Sequence, residues 1–210
     1  MIFSYNKDHV GDVLMIIVND DKGQKVIAER KGNIARIAIE ETNVVVGWNI
    51  FEASTLLPDL KGNGQIELSK EQFQIIADSV KSAGFEDVLI YDDEPKFVIG
   101  FVKELSPHPD SDHLNIAQVE IDNGKVLQIV AGAPNIEQGQ LVVVAKPGAM
   151  MPDGSMIWPG QLRGVESFGM MTSPRELQLP NAPQVRGILV LEKGQAQVGE
   201  KFNPKKHWGK

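Results

Sequence analysis

The chain contains no cysteine, so disulfide frameworks, thiol nucleophiles and Cys-ligated zinc or iron–sulfur clusters are excluded at once. No apolar run approaches the ~18 residues needed to span a bilayer. The first twelve residues are broken by Lys7 and Asp8 and have no signal-peptide core, so a cytoplasmic protein without a membrane anchor is expected. Positive charge is scarce too: 21 Lys and Arg face 28 Asp and Glu, a formal net of −7. That balance opposes a general nucleic-acid binder, because an acidic surface repels polyphosphate. It leaves room for a local binding face. With 210 residues, 42% hydrophobic and 23% charged, the chain is neither disordered nor fibrous. The length suits one large domain or two small ones.

Proline is nearly missing from the first part. Pro58 stands alone before Glu94, and the other 11 of the 12 prolines follow it. Charge divides at the same place: residues 1–94 hold 9 Lys/Arg against 17 Asp/Glu, a net of −8, and residues 95–210 hold 12 against 11, a net of +1. Within the second part, residues 95–192 carry 7 against 10, or −3, and residues 193–210 carry five lysines and one glutamate, or +4. The expected organisation is an acidic α+β domain of unassigned role over 1–94, an all-β domain over 95–192, and a basic tail over 193–210.

In the first part, Val13 to Val18 reads as a strand ending at the turn signal Asn19-Asp20-Asp21-Lys22-Gly23, with Lys25 to Glu29 returning antiparallel. Ile34 to Glu40 and Val44 to Val46 are further strand candidates. Ser69-Lys70-Glu71-Gln72 has capping-box spacing. Phe73, Ile76, Ala77 and Val80 follow with helical periodicity, and Gly84 is placed to end that helix. Val88 to Tyr91 reads as a closing strand. In the second part, Phe97 to Leu105, Leu114 to Ile121, Val126 to Ala131, Leu141 to Ala145, Phe168 to Thr172 and Ile188 to Leu191 read as short strands. Asp122-Asn123-Gly124 is a hairpin turn of the type that needs positive φ at both central residues. Short strands with long decorated loops point to a small barrel.

His108-Pro109-Asp110-Ser111-Asp112-His113 crowds imidazoles and carboxylates as a metal-dependent hydrolase would. Only His9 and His207 remain as further imidazoles, so a Pro-stiffened Asx-turn is the competing reading. Gly164-Val165-Glu166-Ser167-Phe168-Gly169 fails the nucleophile-elbow pattern, since Val165 stands where the first glycine belongs. No phosphate-binding glycine loop occurs. Met150, Met151, Met156, Met170 and Met171 are either core filling or a pliable binding surface. Trp158, in a Pro/Gly loop, is either packed beneath it or displayed for stacking on a base.

Taken in order, the blocks of the second part resemble the tRNA-binding domain shared by several aminoacyl-tRNA synthetases and their stand-alone, EMAP-like relatives. The likeness runs from about Val98 to Leu177. It is carried by His108-Pro109 with Asp112 and Leu114, by Gln128 to Asn135, by Gly139-Gln140 and by Lys146-Pro147-Gly148-Ala149. Leu162 to Ser167, Gly169 to Ser173 and Glu176-Leu177 complete it. With the acidic domain in front, the whole chain is similar to the YtpR-type bacterial proteins, whose second domain resembles the N-terminal portion of the phenylalanyl-tRNA synthetase β subunit.

The resemblance implies an OB-fold barrel behind the α+β domain and a non-catalytic protein that binds tRNA by shape and backbone. It implies no cofactor, metal or catalytic residue. It allows a synthetase or other translation protein as a second partner, and a homodimer. By position, Ser167, Met170 and Ser173 fall on the family's polar patch, Lys146 and Arg163 would add charge, and Asn135, Arg175 and Trp158 complete the expected RNA-binding set. The run Met156 to Gln161 lacks the lysines common in the family before Leu-Arg-Gly. That loss weakens phosphate contact, so help from the basic tail or a second subunit is expected. A protein-interaction module on the same barrel is the alternative.

Overall fold

The computed structural model describes residues 1–209; Lys210, the last lysine of the expected tail, lies outside the described residues. The chain divides into two units, Met1–Asp93 and Glu94 onward.

The first unit contains β1 (Ile2–Asn6), α1 (Lys7–Val10), β2 (Val13–Ile17), β3 (Val26–Lys31), β4 (Ile34–Ile39), β5 (Val45–Phe51), α2 (Ala53–Leu56), β6 (Asn63–Ile66) and α3 (Lys70–Ser82). The strands form one antiparallel sheet in the order β3-β4-β5-β2-β1-β6. The helix start is local chemistry. Ser69 Oγ accepts the Gln72 amide N–H, and the Gln72 side chain accepts the Ser69 amide N–H, so two end donors are satisfied reciprocally. From there α3 buries Phe73, Ile76 and Val80 against Phe3, Tyr5, Leu14, Ile16, Trp48 and Ile50. Each such side chain contributes about 1.5–3 kcal/mol by leaving water.

Two expectations fail here. The strand at Lys25 to Glu29 pairs with β4 and not with β2, whose neighbours are β1 and β5. Val88 to Tyr91 alternates in burial as a strand does but belongs to no sheet. β1 and β6 went unforeseen.

The second unit contains β7 (Phe97–Pro107), β8 (Asn115–Asp122), β9 (Lys125–Ala131), β10 (Leu141–Ala145), β11 (Gly160–Leu162), β12 (Val165–Ser167), β13 (Met170–Met171), β14 (Val190–Leu191) and α4 (Pro204–His207). The main sheet runs β13-β10-β7-β8-β9, with β14 on the same edge of β10 as β13. The long β7 serves both neighbours: its first half pairs with β10 and its second half with β8, with a register shift between Val102 and Glu104. The turn after β8 has φ of 31° at Asn123 and 88° at Gly124, the signs that its sequence demands.

The expected closed barrel is not formed by strand pairing. The ladder stays open between β9 and β13. That gap is bridged by the residues just before β13: Phe168 N–H donates to Gln128 O at 2.8 Å, and Val130 N–H donates to Ser167 Oγ at 3.1 Å.

The basic C-terminal segment folds onto this sheet. Lys201 bridges Val98, Ile99 N–H donates to Glu200 O at 2.9 Å, and Phe202 N–H donates to Phe97 O at 2.9 Å. Phe202 joins Ile99, Val143, Leu179, Leu189 and Leu191 in a second core.

Candidate nucleic-acid interface

The expected site residues separate into two groups. Ser167 is 5% exposed and its oxygen is taken by Val130 N–H. Ser173 is buried as well: its Oγ accepts Glu176 N–H at 3.1 Å, while its own N–H donates to Glu176 Oε2 at 2.8 Å. That is a reciprocal cap on the turn beginning at Pro174. Asn135 holds the Ile188 backbone at both ends, accepting its N–H at 2.9 Å and donating to its carbonyl at 3.0 Å. Lys146 keeps 12% of its side chain exposed and pairs with Glu94 Oε2 at 3.1 Å. Met170 pairs with Ala145 and packs, half-buried, beside Met151 and Ile157. All five groups are engaged within the unit.

Arg163, Arg175 and Trp158 face water to differing degrees. Arg163 sits at the tip of the β11–β12 hairpin, where φ is 47° at Arg163 and 82° at Gly164. One guanidinium nitrogen donates to the Asp110 carbonyl at 2.7 Å, which orients the planar fork outward from a fixed base. Arg175 is exposed on its turn. Trp158 is half-buried on the loop after Ile157, whose own backbone is tied to Gly148 and Ala149.

The His108 to His113 cluster resolves as the turn. His108 is 3% exposed. Its Nδ1 accepts the Asp110 N–H at 3.0 Å, which leaves the proton on Nε2 to donate to the Leu162 carbonyl at 3.1 Å. Both ring nitrogens are thus spent, one closing the 108–113 loop on itself and the other locking it to the β11–β12 hairpin. Among the described residues, no three His, Asp or Glu side chains converge as metal ligands do.

This lock sets an imidazole and a second guanidinium near Arg163. His113 is exposed, with Nδ1 at 2.8 Å from Asp112 Oδ1. That bond holds the exposed Asp112 carboxyl below the usual carboxylate range. His113 lies alongside Gly132, whose carbonyl takes a long 3.4 Å contact from the exposed Arg186 guanidinium. Arg163, His113 and Arg186 therefore follow one another along one loop end of the sheet. Sequence reasoning missed the last two. His113 reads as part of a metal-or-turn motif, and Arg186 lies in a motif-free loop.

Family models divide the chain in the same way. Residues 21–92 match a domain of unknown function, DUF4479, and residues 97–201 match a model described as "Putative tRNA binding domain". The second unit is thus of the tRNA-binding-domain class. Over 198 residues the chain is 43% identical to "Putative tRNA-binding protein YtpR" of Bacillus subtilis strain 168, spanning 94% of this chain and 97% of that one. The chain belongs to the YtpR family. A phenylalanine–tRNA ligase β subunit of Staphylococcus saprophyticus is 41% identical over 114 residues, 53% of this chain but 14% of that subunit. The crystal structure of the C-terminal domain of Plasmodium vivax p43 overlays 51% of the chain and 59% of that chain at a TM-score of 0.38 and 21% identity, too loose a likeness to bear on the fold.

Proposed function

We propose that the second unit is a non-catalytic tRNA-binding module of OB type in a cytoplasmic protein. On this reading it grips RNA at the loop end that carries Arg163. The observation that carries the reading is Arg163 itself, an outward guanidinium on a hairpin tip flanked by His113 and Arg186, in a unit matching the tRNA-binding domain model. Guanidinium forks suit phosphate oxygens, and A-form RNA offers backbone and ribose groups where its narrow major groove hides the bases. Arg163, Arg175, Arg186 and Trp158 are the contact residues, the three arginines for phosphate, while Lys146, Asn135, Ser167, Met170 and Ser173 hold the frame behind them. A synthetase or other translation protein is the natural second partner, and a homodimer would double the basic stripe.

The test is binding of a mixed tRNA preparation to the intact protein at rising salt. Three phosphate contacts correspond to a log–log slope of about −2 to −3, or roughly 20- to 40-fold weaker binding over a fourfold rise in salt. Arg163→Ala should lower the slope by about 0.7–0.9. Absence of salt-sensitive binding even at low ionic strength would overturn the proposal.

A second reading, a protein-interaction module on the same barrel, rests on apolar exposure near the hairpin: Met156 is 38% and Leu162 40% exposed, next to Trp158. Co-purification of a partner that survives nuclease but is lost in Trp158→Ala would favour it.

A further inference from the structure

The first unit contains a strand-like segment without a neighbour. From Phe85 to Tyr91 burial alternates residue by residue, and every second side chain is fixed inward. Phe85 packs edge-on against Trp48 at 5.1 Å between ring centroids. Asp87 receives Arg36 Nε at 2.9 Å and Nη2 at 3.1 Å. Leu89 packs on the core of that unit. Tyr91 lies 5.2 Å from Phe73, and its hydroxyl donates to the Leu68 carbonyl at 3.1 Å.

These anchors fix a period of two, so Glu86, Val88 and Ile90 turn the other way. Val88 is 83% and Ile90 72% exposed, the two highest values for large apolar side chains among the described residues. Among the described residues, no backbone group of Glu86 to Ile90 takes a hydrogen bond within the chain. Val-Leu-Ile-Tyr is a strand-favouring run. Anchored at every second residue with its N–H and C=O groups open, it has the properties of an edge that templates another strand.

Charge selects the occupant. Residues 86–94 carry five acidic side chains and no basic one; Asp87 pairs with Arg36, Asp92 with the N-terminal amine and Glu94 with Lys146, which leaves Glu86 and Asp93 outside those pairs and the segment net acidic. The antiparallel register that sets Val88 and Ile90 of one copy against those of another also sets Glu86 against Asp92, and facing like charges destabilise a strand pair. We infer that residues 86–90 are a docking strand for an extended segment of another protein. That segment would be apolar at two alternate positions and flanked by Lys or Arg. Main-chain bonds would supply the pairing, Val88 and Ile90 the apolar contact, and the acidic flanks the choice of partner.

Three measurements on the intact protein test this. In the free protein, amide hydrogens of Glu86 to Ile90 should exchange as fast as those of exposed loops; protection like that of the sheet would show the strand already paired and overturn the inference. The second uses a fluorescent synthetic peptide of alternating Val and Thr, flanked on both sides by Lys-Arg. It should bind, slow exchange at residues 86–90, and lose about tenfold or more in affinity to the Val88→Asp/Ile90→Asp variant. Because both side chains are exposed, the variant should keep the parent's unfolding midpoint. N-methylation of every second peptide amide along one edge should abolish binding. No binding, binding indifferent to N-methylation, or equal binding by the variant would each overturn the proposal. The third is sedimentation: a dimer that dissociates in the variant would make a second copy the occupant and overturn the assignment of partner.

Discussion

Replacing Ser167 by alanine separates a serine that builds the unit from one that touches RNA. Ser167 and Val130 are 5% and 6% exposed, and the Ser167 oxygen is the acceptor for the Val130 N–H at 3.1 Å. The hydroxyl proton is directed at the Gly169 carbonyl, 3.4 Å away. Alanine would leave the Val130 donor buried without a partner, which costs about 1–3 kcal/mol. Taking the middle of that range and a urea m-value of about 2 kcal/mol/M, the midpoint of the second unit should fall by about 1 M. The chain has two units, so the transitions must be read separately. Hydrogen exchange of peptides from each unit across a urea series does this, with the first unit as internal reference. Below the variant's transition, tRNA affinity should stay within about twofold of the parent, a change of roughly 0.4 kcal/mol. An unchanged midpoint combined with a large loss of tRNA affinity would refute the placement of this hydroxyl.

Other consequences are equally direct. Asn135→Ala deletes both side-chain bonds to the Ile188 backbone and should cost the second unit about 1–3 kcal/mol in the same urea series. Phe202→Ala empties a position 7% exposed and should cost about 3–5 kcal/mol; by calorimetry, removal of residues 193–210 should unfold the unit and not merely strip it of charge. Burial, then the bond to Asp12, pushes the Tyr5 phenol from 10.0 up to about 12. Because the neutral phenol is favoured in the fold, its contribution is complete below pH 10 and is lost as pH rises toward 12. A tyrosine absorbance titration should show the late step, and Tyr5→Phe should remove it. The Asp12 carboxyl is held low, first by the Ser54 hydroxyl. Its contribution is present above the ordinary carboxylate pKa and is lost as pH falls through the lower folded value; Asp12→Asn should flatten the acid limb of a stability–pH curve.

What was legible in the sequence is what neighbouring residues decide among themselves. The Ser69–Gln72 box, the Asn123-Gly124 turn and the apolar runs of β2, β4, β8, β9 and β10 depend on propensity and periodicity within a few positions. β6 was illegible because Asn63-Gly64-Gln65-Ile66 has no apolar pattern; it is a strand because it lies against β1, nearly sixty residues earlier. Val88 to Tyr91 erred in the opposite direction. Its alternation is real, but a strand also needs a neighbour, and the chain provides none among the described residues.

The candidate site was legible only in part, for a related reason. Motif position singles out Ser167, Ser173 and Asn135 along the chain, but it cannot say what each polar atom faces. In this unit, polar side chains near the open edge of β9 are drawn into holding that edge. Ser167 serves the Val130 amide, and Gln128 Nε2 donates to the Glu166 carbonyl at 2.8 Å. A hydroxyl that accepts a backbone N–H still has a proton to donate, but Ser167 is buried and directs that proton at the Gly169 carbonyl, so a phosphate would reach it only by opening the edge it holds. Side chains free to meet a ligand must then come from tips that protrude beyond the ladder. Arg163 is such a case, because its left-handed φ belongs to a two-residue hairpin turn that carries it past the last bonded pair, Leu162 and Val165. The net of −3 over residues 95–192 matters less to a polyanion than the sign within one Debye length, about 8 Å at physiological salt. On the proposed reading, that local sign is set by Arg163 and Arg186, with Asp112 as the opposing charge. Asp112→Asn should therefore tighten tRNA binding at low salt, and an unchanged or weaker affinity would remove this loop end from the interface.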